Sequence, residues 1–148
     1  MVSRIVKISK EQSFFLFGPR GSGKTSLLKS IYHDPSAVLW LDLLETQIHD
    51  DLANDPALLK KMVAAHPGKT KVVIDEIQKV PELLNVVHQL SLESKHQFIL
   101  TGSSARKLKR NKANLLAGRA FSYYCHPLTY EELGDQFQLM NVLRFGSL

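Results

Sequence analysis

The sequence predicts an α/β layer fold, a parallel sheet of five strands flanked by helices. Two observations carry the prediction. Five short apolar, β-rich runs alternate with segments whose apolar residues have helical spacing, the pattern of strand–helix units joined by right-handed crossovers. Three of those runs, Phe14–Phe17, Val72-Val73-Ile74 and Phe98-Ile99-Leu100, are apolar without a break. That is the signature of central strands covered on both faces rather than on one.

Taken in order, the first strand is Phe14–Phe17, and the glycine-rich stretch Gly18-Pro19-Arg20-Gly21-Ser22-Gly23-Lys24-Thr25 follows it directly. A helix from Gly23 to Tyr32 comes next and ends before the turn His33-Asp34-Pro35. Val38-Leu39-Trp40-Leu41 is the second strand. Glu45 to Leu52 and Pro56 to Ala65 are two short helices, the second with Asp55 as cap before a first-turn proline and stopped by His66-Pro67-Gly68. Val72–Ile74 is the third strand. The helix Pro81 to Leu92 opens on another proline and gathers Leu83, Leu84, Val87 and Leu90 on one face. Phe98–Leu100 is the fourth strand, Ser104 to Leu116 a helix, and Phe121–Cys125 the fifth strand. Thr129-Tyr130-Glu131-Glu132 is a capping box for a last helix to about Gln138. Residues 1–138 thus form one domain. Residues 139–148, which turn apolar again without a cap, read as the start of a further region of a longer chain.

With 148 residues, 44% of them hydrophobic and 22% charged, the chain can bury a core of ordinary size. No apolar run reaches membrane-spanning length, and the N-terminus lacks the apolar core and cleavage site of a signal peptide. Cys125 is the only cysteine, which suits a reducing, cytoplasmic setting. The six histidines show no ligand spacing, so a zinc site is not expected.

The net charge is +5, unevenly spread. Between Glu93 and Glu131 there is no acidic residue, while Lys95, Arg106, Lys107, Lys109, Arg110, Lys112 and Arg119 fall in that gap. A solvated basic face is the plain reading. The alternative is contact of the 106–119 stretch with DNA or an acidic protein. Few aromatic residues interrupt the stretch, so it is no stacking platform for single strands.

The stretch from Gly18 to Thr25 has the P-loop spacing G-x-x-x-x-G-K-[ST], with a strand before it and a helix after. Glycines allow tight, left-handed turns that aim backbone N–H groups at phosphate oxygens. The helix beginning there adds its positive end. Gly18, Pro19, Arg20, Gly21, Ser22, Gly23, Lys24, Thr25 and Ser26 are therefore the candidate nucleotide-binding residues. Lys24 reaches the β- and γ-phosphates, and the Thr25 hydroxyl holds Mg²⁺. Arg20 is expected to point outward.

A second signal is Val72-Val73-Ile74-Asp75-Glu76, a buried strand ending in two carboxylates. Asp75 is the candidate for ordering the Mg²⁺ shell and Glu76 for polarising the attacking water. A third is Thr101-Gly102-Ser103-Ser104 after the fourth strand. There Ser103 is the preferred γ-phosphate sensor, with Thr101 as the alternative and helix capping as the plain role. Arg119, between the basic helix and the fifth strand, is placed for a neighbouring subunit's γ-phosphate in a homo-oligomer packed side by side. A structural arginine is the other reading.

Together GPRGSGKTSLLK, VVIDEIQKVPELL, FILTGSSARKL and NLLAGRAFSYYCHPLTYEEL resemble the prokaryotic AAA-type ATPases whose ATPase domain precedes a domain of unknown function. The resemblance runs from about Arg4 to the end. It implies the three-layer P-loop NTPase fold with sheet order 5-1-4-3-2, ATP and Mg²⁺ at the loop, and Lys24, Thr25, Asp75 and Glu76 in the roles given above. It also implies a C-terminal part, winged-helix and nuclease-like, that this sequence does not include. The function expected is Mg²⁺-dependent ATP hydrolysis driving a conformational switch. The alternative is a truncated ATP-binding module that serves as an interaction domain without turnover. A kinase is disfavoured because Glu76 is suited to activating water.

Overall fold

The computed structural model describes residues 7–110 and 116–127. In chain order the elements are β1 (Phe14–Phe17), α1 (Lys24–Ile31), β2 (Val38–Asp42), α2 (Thr46–Asn54), α3 (Leu58–Ala64), β3 (Lys71–Asp75), α4 (Leu83–Glu93), β4 (Gln97–Gly102), α5 (Ala105–Arg110) and β5 (Phe121–Tyr124). Short 3₁₀ turns span Ile77–Lys79 and Leu116–Gly118.

The five strands form one sheet in the order β2-β3-β4-β1-β5, with every neighbouring pair parallel. Read from the other edge, this is the expected 5-1-4-3-2. The unbroken apolar runs explain the two cores. In β1, Phe15 and Phe17 point to one face, where they join Leu41, Ile74, Phe98 and Leu100 beneath Leu52, Leu59, Leu83 and Val87. Phe14 and Leu16 point to the other, with Val73, Ile99, Leu28 and Tyr32. All four residues of β1 are buried. Each such side chain contributes roughly 1.5–3 kcal/mol by leaving water, so both faces must be covered for the strand to sit at the centre.

Helix boundaries shift where prolines open them. The first turn after Pro56 is closed by bonds three residues apart, Leu59 N to Pro56 O and Lys60 N to Ala57 O. The turn at Pro81 is likewise closed from Leu84 N to Pro81 O. Both segments wind as 3₁₀ before α3 and α4 begin, two residues later than expected. The face predicted for α4 is the buried one: Leu83, Leu84, Val87 and Leu90. After α1, the Ser36 hydroxyl and amide bond Asp34, which holds that carboxyl below its ordinary value.

The continuous helix expected from Ser104 to Leu116 is corrected in part. α5 covers Ala105–Arg110, and at Leu116 and Ala117 the backbone is left-handed, with φ of 53° and 52°. No sequence signal precedes Gly118 to announce that turn. The helix expected at Thr129–Gln138 and the segment 139–148 lie outside the described residues.

β5 beside β1 builds the floor of the loop that follows β1. The Cys125 amide donates to Phe17 O at 2.6 Å, and the Gly18 amide donates to Gly102 O at 3.2 Å. Gly18 is wedged so closely between them that a Cβ there would lie 2.1 Å from Cys125 O. Nothing lies within 4 Å of a Cβ at Gly68. Gly18→Ala should therefore lower stability by on the order of 2 kcal/mol, a fall in melting temperature of roughly 5–10 °C. Gly68→Ala should leave it within about 2 °C; equal melting of the two variants would contradict the wedge.

Candidate functional site

The site lies at the carboxyl edge of the sheet, where β1, β3 and β4 end together: Leu16 is level with Thr101, Phe17 with Gly102, and Ile74 with Leu100. From β1 the chain turns through Pro19–Ser22, closed by the Ser22 amide donating to Pro19 O at 3.2 Å. Gly21 and Gly23 take φ of 77° and 86°, which a side chain would oppose. Then α1 starts, with Leu27 N donating to Gly23 O at 2.9 Å.

Lys24 is 5% exposed, folded into the loop it follows. Its Nζ donates to Gly18 O at 2.7 Å and to Pro19 O at 3.0 Å. One residue on, Thr25 Oγ1 donates to Asp75 Oδ2 at 2.8 Å. The other oxygen of Asp75, Oδ1, accepts from the hydroxyl of Thr101. Thr101 Oγ1 in turn accepts from the backbone amide of Glu76 at 2.9 Å. A continuous hydrogen-bond chain thus joins α1, β3, β4 and the turn after β3. Asp75 and Thr101 are buried, at 3% and 0% exposed. A carboxylate this enclosed needs both oxygens partnered, and the two threonines do that.

Glu76 leaves the strand in a left-handed conformation, φ 63° and ψ 49°. The 3₁₀ turn behind it brings Gln78 back, and Gln78 Nε2 donates to Glu76 Oε2. Arg20, Leu44, Glu76, Gln78, Lys79, Ser103 and Lys107 line one pocket, three of them cations around a single carboxylate. Arg20 is exposed, as expected, yet it borders the pocket holding Glu76.

The P-loop residues, Asp75, Glu76 and Ser103 come together at this edge. Ser26, the third residue of α1, is exposed beside it. Thr101, weighed as an alternative to Ser103, is instead enclosed and committed to Asp75 and the Glu76 amide, while half-buried Ser103 borders the pocket. Arg119 is apart. It borders a cleft with Gln12, Ser13, His96 and Phe121, and Phe121 is level with Phe14, the start of β1 rather than its end. The length of a four-residue strand, roughly 13 Å, separates it from its own loop.

Two contributors carried no functional signal in the sequence. Gln78 acts through a partner whose placement depends on the fold. Cys125, at the end of the fifth strand, is fully buried, and its Sγ donates to Ser22 O at 3.2 Å. Thr101 is marked by its place after the fourth strand, but its bonds to Asp75 and the Glu76 amide depend on pairing across the sheet.

The loop suits a phosphate chain. The buried hydroxyl of Ser22 has no hydrogen-bond partner among the described residues, and the Lys24 ammonium sits inside the turn. The pair of Thr25 and Asp75 supplies one hydroxyl and one carboxylate, a donor set for Mg²⁺ sharing its shell with phosphates and water. Among the described residues no group of three or more His, Cys, Asp or Glu forms a metal site of its own, and no helix is long and apolar enough to cross a membrane.

Comparison with known proteins bears on the family and the fold. The chain is 30% identical over 140 residues to an uncharacterized protein of Methanocaldococcus jannaschii, covering 88% of this chain and 29% of that protein. It is 30% identical over 125 residues to an uncharacterized protein of Haemophilus influenzae, covering 78% and 31%. The chain therefore spans about a third of the length of these relatives. Among solved structures, it is similar in fold to the Aeropyrum pernix ORC1 protein in complex with DNA, with a TM-score of 0.56 at 14% identity over 86% of this chain and 42% of that one. It is similar also to domain III of the Thermotoga maritima replication initiation protein DnaA, with a TM-score of 0.54 at 18% identity over 94% and 65%. DnaA bound to AMPPCP and single-stranded DNA gives 0.53 at 16% identity over 84% and 43%. A family model described as an AAA domain matches residues 10–134, and with a phosphate-type loop, a buried aspartate and the parallel sheet order all within that span, the chain belongs to the AAA domain family.

Proposed function

We propose that the chain is an ATP-binding, ATP-hydrolysing domain whose turnover drives a conformational switch. The observation that carries the reading is the hydrogen-bond chain from Thr25 through Asp75 and Thr101 to the Glu76 amide. It links the phosphate loop to the turn that carries Glu76, the carboxylate that in this reading orients water.

In this reading the backbone from Gly18 to Ser26 cradles the β- and γ-phosphates, and Lys24 exchanges its loop carbonyls for phosphate oxygens. Thr25 and Asp75 would hold Mg²⁺, which when bound offsets charge on the two phosphates. Glu76 orients a water and accepts its proton as the water oxygen bonds to the γ-phosphorus and the bond to the β-phosphate oxygen breaks, releasing ADP. Ser103, at the pocket with Glu76, contacts the γ-phosphate. Arg119 is too far from its own loop for this, so its role is toward a neighbouring copy's phosphate. ATP and a single buried cysteine suit the cytoplasm. A chain that binds ATP without turnover is the competing reading.

Phosphate release and ATP binding by the purified chain separate the two. Lys24→Ala should weaken ATP binding by roughly tenfold or more. Glu76→Gln should keep binding and lose on the order of 10²–10³ in turnover. Equal, background release from all three proteins, with ATP still bound by wild type, would leave the interaction-module reading.

A second reading, contact with DNA, is supported by the exposed Arg106, Lys107 and Lys109 on α5. Acidic residues are absent among the described residues after Glu93. Two of the proteins similar in fold are seen with DNA. Three phosphate contacts predict a slope of roughly −2 to −3 for log affinity against log salt on duplex DNA. A slope near zero, or no binding at low salt, would remove this reading.

A further inference from the structure

Gln78 is held in an arrangement that packing alone does not explain. Its Nε2 donates to Glu76 Oε2, but its Oε1 is buried with no hydrogen-bond partner among the described residues. An apolar side chain of equal length would fill the same space without burying an unpartnered oxygen. What offsets that cost is the bond to Glu76. The space itself is provided by the end of β4: a Cβ on Gly102 would come 3.1 Å from Gln78 Oε1 and 3.4 Å from the Phe17 ring.

Glu76 also needs holding. Its backbone is left-handed, unusual for a residue with a side chain. The Thr101 hydroxyl fixes its amide, and the turn is closed by the Lys79 amide donating to Glu76 O at 2.9 Å. These bonds set the backbone, while the direction of the carboxylate rests on Gln78. Strain kept at one residue and an unsatisfied oxygen kept at its partner are features that cluster where geometry serves chemistry.

We propose that Gln78 is a positioning residue for Glu76. By donating to Oε2 it fixes the plane of the carboxylate and leaves Oε1 as the oxygen that accepts from the attacking water. The inference rests on the reading of Glu76 as the group that activates water. It names the residue that sets its aim.

The test compares wild type with Gln78→Met, Gly102→Ala, Glu76→Gln and the double variant Glu76→Gln/Gln78→Met, using Mg-ATP turnover, ATP titration and thermal melting. Gln78→Met should lower kcat roughly tenfold to a hundredfold, because a small misplacement of a reacting group suffices for that. KM, ATP affinity and melting temperature should stay near wild type, within about twofold for the two constants. Gly102→Ala, which presses on the Gln78 carboxamide, should lower kcat in the same direction by a smaller factor. The double variant should be no slower than Glu76→Gln alone, since Gln78 acts only through Glu76. A Gln78→Met kcat at the wild-type level, a loss that multiplies with that of Glu76→Gln, or a matching loss of ATP affinity would overturn the assignment. Those outcomes leave the hydrolase reading intact if wild type still depends on Glu76; a wild type with no Glu76-dependent turnover would overturn both.

Discussion

The buried carboxylate of Asp75 is the constraint on which the site depends. It stands at 3% exposure with one oxygen on Thr25 and the other on Thr101. Removing either hydroxyl would leave an enclosed, charged acceptor short of a partner, a loss of roughly 1–3 kcal/mol. The same two bonds fix the start of α1 to the end of β3, and β3 to β4. Because Thr101 also receives the Glu76 amide, the turn that carries the second carboxylate is set by the first.

That arrangement is possible only because the strands are parallel and buried on both faces. Parallel pairing brings the carboxyl ends of β1, β3 and β4 to one edge, so residues far apart in sequence meet there. Phe14 and Leu16 pack on one face and Phe15 and Phe17 on the other, and backbone pairing to β4 and β5 on both sides holds β1 in register. The loop after Phe17 is therefore delivered to a fixed height. β5 completes the fit: Cys125 contacts the loop through its amide to Phe17 O and its thiol to Ser22 O, while its carbonyl abuts Gly18.

Much of this was legible in the residues. The apolar runs mark the strands because a strand covered on both faces needs apolar side chains at every position. The P-loop spacing is legible because glycines at Gly21 and Gly23 are what positive φ requires. The strand ending Asp75-Glu76 showed which carboxylates would reach the edge. Other features depend on pairing across the sheet and have no local mark. β4 extends through Gly102, which encloses Thr101 and leaves Ser103 at the pocket. Gln78 reaches Glu76 only because Glu76 is left-handed, and nothing in Asp75-Glu76-Ile77-Gln78 announces that. Arg119, expected to serve a neighbouring subunit's γ-phosphate, stands just before β5, and because β5 is parallel to β1 that is the end of the sheet away from this chain's own loop.

In the function proposed above, Asp75 and Thr25 would hold the metal that the phosphates share. That role is tested most directly by titrating ATP into wild type and Asp75→Asn with and without Mg²⁺. Asparagine keeps the shape and can still bond both threonines, so the loop survives and only the charge is lost. Mg²⁺ should tighten ATP binding to wild type by roughly tenfold or more and to Asp75→Asn by no more than about twofold, with similar Mg-free affinity for both. Full Mg²⁺ enhancement in Asp75→Asn would contradict it.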